Sequence, residues 1–174
     1  MERTDESLCI PDKCLAAVCG LFCPACTVFI GTQEDPERLK GIAERLQRTV
    51  EELECHGCRS EKRCFYCGSC KKTICAAEKG IEFCGECTEY PCEDLRIFQA
   101  EMPHRIELWK AQERIKEVGY EKWYREMIEH YSCPECHTLN SAYDLVCRKC
   151  GKTPSCAYVS LHKDKIIQHL AKWK

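Results

Sequence analysis

The sequence has few apolar residues apart from its cysteines. Cysteine accounts for 19 of the 174 residues and is included in the 44% that count as hydrophobic. The aliphatic and aromatic residues that remain are too few for a large hydrophobic core, and such chains usually depend on disulfides or metal ions. The length suits one domain, or a small domain followed by an appended module.

The N-terminal sequence MERTDESLCIPD lacks the basic start and the apolar run of a secretory signal peptide. Most cysteines occur in C-x2-C pairs, which suit a shared metal ion better than a long-range disulfide network. We therefore predict a cytoplasmic protein whose thiols bind metal ions. An oxidised, secreted disulfide scaffold is the alternative.

The chain also lacks a long, uninterrupted apolar run that would cross a membrane. Residues 14–31 come nearest, but Gly20, Pro24 and four cysteines interrupt them, and no basic cluster flanks them. A buried helix at a metal site explains this run better. We therefore predict a soluble protein without a membrane contact.

Common enzyme signatures and excess positive charge are missing as well. There is no glycine-rich phosphate loop and no H-E-x-x-H motif, which favours a protein that is not an enzyme. The formal net charge is −2 with neutral thiols. Each zinc ion held by four thiolates adds a net −2, so four such sites would bring the charge to about −10. This balance disfavours general nucleic-acid binding, which needs a positive face.

Helical patterns lie on both sides of the cysteine-rich middle, and the fold class is predicted to be mainly α. Residues 34–53 predict one helix with Asp35 as its N-cap and Pro36 in its first turn. Its apolar stripe, expected in the core, is Leu39, Ile42, Leu46, Val50 and Leu53.

Residues 93–131 predict further helices, interrupted at Pro103 and Gly119. His104 and His130 are expected at the surface or as caps rather than as metal ligands. A last helix is predicted over about residues 160–173.

Residues 55–92 hold nine cysteines in 38 positions, which leaves little room for regular structure. We expect irregular, metal-stabilised loops there, with one helical turn over about residues 76–79. Glycines beside the cysteine pairs would allow tight turns whose amides face thiolate sulfurs.

The C-terminal pattern Cys133-x2-Cys136-x10-Cys147-x2-Cys150, followed by Gly151, is typical of a zinc ribbon. We predict two knuckles facing each other across a hairpin, in a small α+β module. Four thiolates leave no open position on zinc, so this site would be structural.

Twelve other cysteines would divide into three further sites of four. They are Cys19, Cys23, Cys26, Cys55, Cys58, Cys64, Cys67, Cys70, Cys75, Cys84, Cys87 and Cys92. With the ribbon, the prediction is about four zinc ions per chain. The pattern does not determine which four cysteines share an ion, and it leaves Cys9, Cys14 and Cys156 without a role.

Iron–sulfur chemistry is the alternative for residues 19–92. The triad Cys19-x3-Cys23-x2-Cys26 matches the spacing used by radical S-adenosylmethionine enzymes, but the chain lacks the alternating strands and helices of their barrel. Residues 64–75 come within one residue of the bacterial ferredoxin spacing and lack its final proline. A [4Fe–4S] cluster therefore stays open, with zinc preferred.

These cysteine motifs resemble the domain of unknown function 3795 family, small cysteine-rich proteins of bacteria and archaea. The resemblance lies in CGLFCPACTVFIGT at 19–32, CHGCRS at 55–60 and CGSCKKTICAAEKGIEFCGECTEYPCEDL at 67–95. CPECHTLNSAYDLVCRKCG at 133–151 is similar to the ribbon that often follows this domain. The resemblance implies a metal-binding domain, with zinc as the metal, and no reaction.

The sequence therefore predicts two units, a cysteine-rich metal-binding domain over residues 1–131 and a ribbon with a basic helix over 132–174. The favoured function is a zinc protein whose metal sites shape a surface for a protein partner. One alternative is an iron–sulfur protein for redox chemistry or electron transfer. Another is nucleic-acid binding through residues 145–174, which carry seven Lys or Arg against one acid, with Tyr158 and Trp173 as stacking groups.

Overall fold

The fold is almost entirely helical in the computed structural model, which describes residues 9–173 apart from the Trp173 side chain. Within that range the α-helices are α1 Thr27–Gln33, α2 Pro36–Leu46, α3 Val50–Leu53, α4 Phe65–Gly68, α5 Lys71–Lys79, α6 Glu93–Glu101, α7 Leu108–Val118, α8 Tyr120–Tyr131 and α9 Ala157–Leu170. Short 3-10 turns are Lys13–Leu15, Cys23–Ala25, Cys84–Glu86, Pro103–Arg105 and Ala171–Trp173. The predicted mainly α class is confirmed.

The predicted α+β character of the C-terminal module is not supported. In the described part of the chain, β pairing is limited to two isolated bridges, Ala16 with Phe22 and Ser132 with Leu139. The physical reason is that each cysteine pair closes its own turn through local backbone hydrogen bonds, so the module needs no extended strands.

The helix predicted over residues 34–53 is divided in two. Asp35 is its N-cap as predicted, since the carboxylate accepts a hydrogen bond from the Arg38 amide at 3.0 Å. The first helix ends where Gln47 adopts a left-handed conformation with φ 53°, and Thr49 begins the next with a capping box. Leu46, at the end of the first helix, is exposed, so its assignment to the core was wrong.

The cysteine-rich middle contains more helix than predicted. Helix α5 extends over Lys71–Lys79 rather than a single turn, and it ends at Gly80 with φ 65°. Glycine at this left-handed position is the usual C-terminal signal of a helix. The last helix begins at Ala157, earlier than predicted.

The main hydrophobic core joins residues from both sides of the predicted boundary near Tyr131. Stacked aromatic rings connect three segments, with ring centroids of Phe22 and Tyr131 at 5.9 Å and those of Tyr131 and Tyr158 at 5.0 Å. Trp123 is fully buried beside them. The division into residues 1–131 and 132–174 stays a prediction.

A second core packs directly against cysteines. Leu95 and Leu108 are each 1% exposed, and they lie with Phe98 and Ala17 beside Cys19. Cys23, Cys58 and Cys84 are the partly buried cysteines packed on this core. The apolar residues of α6 and α7 therefore position the cysteines of the N-terminal segment.

Among the helices of residues 9–173, none combines the length and the apolar character that a membrane crossing requires.

Candidate metal centre

The C-terminal cysteine site, formed by Cys133, Cys136, Cys147 and Cys150, brings four sulfurs together. All four lie within 4.8 Å of one another. The Sγ atoms of Cys133 and Cys150 are 3.5 Å apart, and those of Cys136 and Cys147 are 3.6 Å apart. Tetrahedral zinc with ordinary Zn–S bonds separates its sulfurs by about 3.8 Å. The site can therefore hold one such ion.

Two equivalent turns create this geometry. The His137 amide donates to the Cys133 carbonyl at 3.0 Å, and the Gly151 amide donates to the Cys147 carbonyl at 3.0 Å. His137 and Gly151 each follow the second cysteine of a pair, and both have positive φ, 59° and 77°. The sequence predicted the two knuckles, and the left-handed residue that ends each turn shows how they form.

The surroundings of Cys136 favour its thiolate form. Thr138 Oγ1 lies 3.4 Å from its sulfur, and hydrogen bonds with the Thr138 side chain and backbone lower the pKa of Cys136 to about 6. A thiolate is the form that binds a metal ion. Within the same site, hydrogen bonds with the neighbouring thiols raise the pKa of Cys150 to about 12, so the thiols do not ionise alike.

Asn140 supports the same site and was not predicted. The side chain is fully buried, and its Nδ2 donates to the Thr138 carbonyl at 2.8 Å and lies 3.7 Å from Cys147 Sγ. Its Oδ1 accepts from the Arg148 amide at 3.1 Å. Nothing in the sequence distinguishes this asparagine from other polar residues of the hairpin.

The other twelve predicted ligands are neighbours, but they do not reach single-ion spacing. Throughout residues 9–173, the C-terminal cysteine site is the only group of three or more His, Cys, Asp or Glu whose ligand atoms all lie within 4.8 Å. Metal binding by the twelve therefore stays a prediction.

One set of neighbours surrounds Cys64. A side-chain hydrogen bond with Cys64 and, to a smaller extent, burial raise the pKa of Cys55. Cys64 also forms a side-chain hydrogen bond with Cys67. Cys26 lies close enough to interact with Cys55 and Cys64. These four cysteines come from the first apolar run and from the dense middle segment.

A second group of neighbouring cysteines lies around Cys58. Burial raises the pKa of Cys19 to about 12, and Cys58 contributes next. Burial likewise raises the pKa of Cys23. Among the neighbouring thiols, Cys58 raises it most. Cys70 is a further neighbour of Cys19.

A third set lines a cleft, and we name it the cysteine cleft. Its cysteines are Cys75, Cys84, Cys87 and Cys92. Burial raises the pKa of Cys84 to about 12, with further contributions from Cys92 and Cys75. A bound cation would reverse this effect by stabilising the thiolates.

The three cysteines without a predicted role differ in exposure. Cys9 is exposed and Cys14 is partly buried, whereas Cys156 is 2% exposed and belongs to the main core.

A separate polar group lies beside a cavity of about 390 Å³ between α7 and α8. Glu107 Oε2 is 2.9 Å from His130 Nε2, and Glu107 Oε1 is 3.0 Å from His162 Nε2. Burial opposes ionisation of Glu107, but the two imidazoles outweigh it and hold the pKa of Glu107 at about 2.

His104 and His130 were predicted at the surface or as caps rather than as metal ligands, and the structure places both of them away from the exposed surface. Both are partly buried, and burial lowers the pKa of His104 to about 3. Helical periodicity does not reveal which histidines face a neighbouring helix, because their partners are distant in sequence.

Residues 15–97 match the model of a family described as "Protein of unknown function (DUF3795)". The resemblance predicted from the cysteine motifs is confirmed over that range. The C-terminal cysteine site lies beyond the matched residues. No curated protein and no solved structure matches the chain.

Proposed function

We propose that this chain, whose residues 15–97 match the model of a family of unknown function, is a zinc-binding protein without catalytic activity that acts as a protein-interaction module. The observation that carries the proposal is the spacing of the four sulfurs in the C-terminal cysteine site, all within 4.8 Å of one another. Four thiolates fill the tetrahedral shell of zinc, so no position stays open for a substrate or an activated water.

A reducing cytoplasm fits this chemistry. No disulfide forms among the cysteines that the structure describes, and thiolates must stay reduced to bind zinc.

A protein partner is favoured over nucleic acid by the charges near the site. Arg148 pairs with Glu34, and Lys152 Nζ lies 2.7 Å from Glu135 Oε1, so two of the basic residues of this region are already neutralised. Tyr158 is fully buried and is not available for stacking on a base. The Trp173 side chain lies outside the described residues.

Exposed apolar residues on the C-terminal segment suit a protein contact. Val146 beside the metal site is 49% exposed, and Leu161 on α9 is 64% exposed. The buried centre of a protein interface is more apolar than its rim, so these two side chains are candidates for such a centre.

Metal analysis tests the zinc assignment. The full chain should contain zinc, and Cys150→Ser should lose about one zinc ion per chain. Cys9→Ser, which changes an exposed cysteine outside the predicted ligands, should retain the wild-type content. Equal zinc in wild type and Cys150→Ser would contradict the assignment.

Comparative affinity capture tests the interaction role. Proteins retained by the wild type should be lost with Leu161→Asp, while nuclease treatment should leave them bound. A captured set that disappears on nuclease treatment would instead indicate nucleic-acid binding.

A further inference from the structure

The cysteine cleft has a volume of about 380 Å³ and lies between helix α5 and the segment that leads into α6. Cys75 comes from the helix, Cys84 and Cys87 come from either end of a tight turn, and Cys92 precedes α6. We propose that the cleft binds an iron–sulfur cluster of the [4Fe–4S] type, with one of these cysteines on each iron. This goes beyond the proposed zinc function and does not depend on it.

Sulfur spacing is the first argument. No three of the four sulfurs in the cysteine cleft all lie within 4.8 Å of one another, although all four residues are described. A single tetrahedral zinc requires sulfur separations of about 3.8 Å, as the C-terminal cysteine site provides. In an iron–sulfur cluster, each thiolate binds a different iron and sulfides lie between the irons, so the thiolates are farther apart. The sulfurs of the cysteine cleft therefore lack the single-ion spacing of the C-terminal cysteine site.

The volume of the cysteine cleft also suits a group larger than a single ion. A cavity needs only about 10–15 Å³ to hold one water-sized sphere, and the cysteine cleft is far larger. A single ion would leave most of this volume unfilled. A cluster of four irons and four sulfides would occupy more of this volume.

Charge is the third argument. Four thiolates around an oxidised [4Fe–4S] core carry a net charge of about −2, which nearby cations would stabilise. Lys71, Lys72 and Lys79 line the cleft together with Glu89, Glu93 and Asp94, and Lys79 also pairs with Glu89. Lys79 Nζ lies 3.2 Å from Cys87 Sγ, and this contact places a positive charge directly beside a proposed ligand.

The test is anaerobic purification of the full chain, followed by iron, acid-labile sulfide and zinc analysis. The wild type should be brown, and Cys87→Ser and Cys92→Ser should each contain about four fewer irons and four fewer sulfides per chain. Both variants should keep the wild-type helical circular dichroism, which shows that the chain is still folded, and should keep the wild-type zinc content. Cys9→Ser should match the wild type.

A second variant avoids the ligands themselves. Dithionite supplies one electron to the cluster, and the reduced cluster carries one more negative charge. Lys79→Met removes the adjacent cation and should therefore lower the midpoint potential, while leaving iron and sulfide contents unchanged.

Three outcomes would overturn the inference. They are a wild-type chain that contains zinc without labile sulfide, a Cys87→Ser or Cys92→Ser variant with unchanged iron and sulfide, and a Lys79→Met variant with an unchanged potential. Loss of zinc in Cys150→Ser is measured separately, so the two proposals can fail independently.

Discussion

Arg38 and Asp144, which are 106 positions apart in sequence, form a bidentate ion pair. Arg38 Nη2 donates to Asp144 Oδ1 at 3.0 Å, and Nη1 donates to Oδ2 at 3.2 Å. Both side chains are largely buried, 17% and 14% exposed. The pair fixes the first turn of α2 against the hairpin of the C-terminal cysteine site.

This pair should stabilise the contact between the two segments. We expect Asp144→Ala to lower the free energy of unfolding by about 1–2 kcal/mol, between the values for exposed and fully buried pairs. Urea unfolding of Arg38→Ala, Asp144→Ala and the double variant gives the coupling energy directly. The exposed pair of Glu135 and Lys152 is the matched control, and a coupling no larger than in that control would contradict the prediction.

Asn140 should influence metal affinity without binding the metal. Asn140→Ala removes a donor near Cys147 and leaves the Thr138 carbonyl and the Arg148 amide without a side-chain partner. We expect zinc affinity to fall about 10–100-fold, as measured by chelator competition. His137→Gly should stay close to the wild type, because His137 already has a positive φ that glycine adopts easily. Reversed effects of these two variants would refute the assignment.

Gln112 should be essential for the loop that carries Cys84. The side chain is fully buried; it accepts from the Gly85 amide at 2.7 Å and donates to the Val18 carbonyl at 3.0 Å. Gln112→Met leaves the buried Gly85 amide unsatisfied, while the Val18 carbonyl still accepts from the Cys84 amide at 2.9 Å; the loss should be about 1–3 kcal/mol. Denaturant unfolding checks this, with the partly buried Gln99→Met as the control. A loss below about 1 kcal/mol would show that water replaces the amide.

Glu107 should make stability depend on pH in acid. Its folded-state pKa of about 2 lies below the ordinary value of 4.5. A carboxylate with a lowered pKa stabilises the fold above the ordinary value, and this stability is lost as the pH falls from about 4.5 to about 2. His130, His162 and Lys110 are the nearby basic groups.

The corresponding variant is Glu107→Gln. We expect it to be less stable than the wild type at pH 7 by about 1–2 kcal/mol, a value reduced because solvent screens the group. The difference should shrink as the pH falls through this window, as urea unfolding at each pH would show. Metal release in acid affects both proteins, so their difference isolates Glu107. A difference that is constant with pH would be inconsistent with the prediction.

Features of this protein that depend on local spacing could be predicted from the amino-acid sequence. The C-x2-C pairs and Gly151 predicted two knuckles, because each knuckle is closed by hydrogen bonds between residues only a few positions apart. Asp35 and Pro36 predicted the start of α2 for the same reason. The cysteine motifs also carried the family resemblance over residues 15–97.

Contacts between residues that are distant in sequence could not be predicted and are known from the folded chain alone. The cysteine cleft combines Cys75 on a helix with Cys92 beyond a turn, and Glu107 meets His130 and His162 on two other helices. Spacing along the chain cannot specify such contacts, because they depend on how the apolar faces of separate helices pack. The same packing buries Tyr158 and Gln112, although each is an ordinary polar or aromatic residue in a helical sequence.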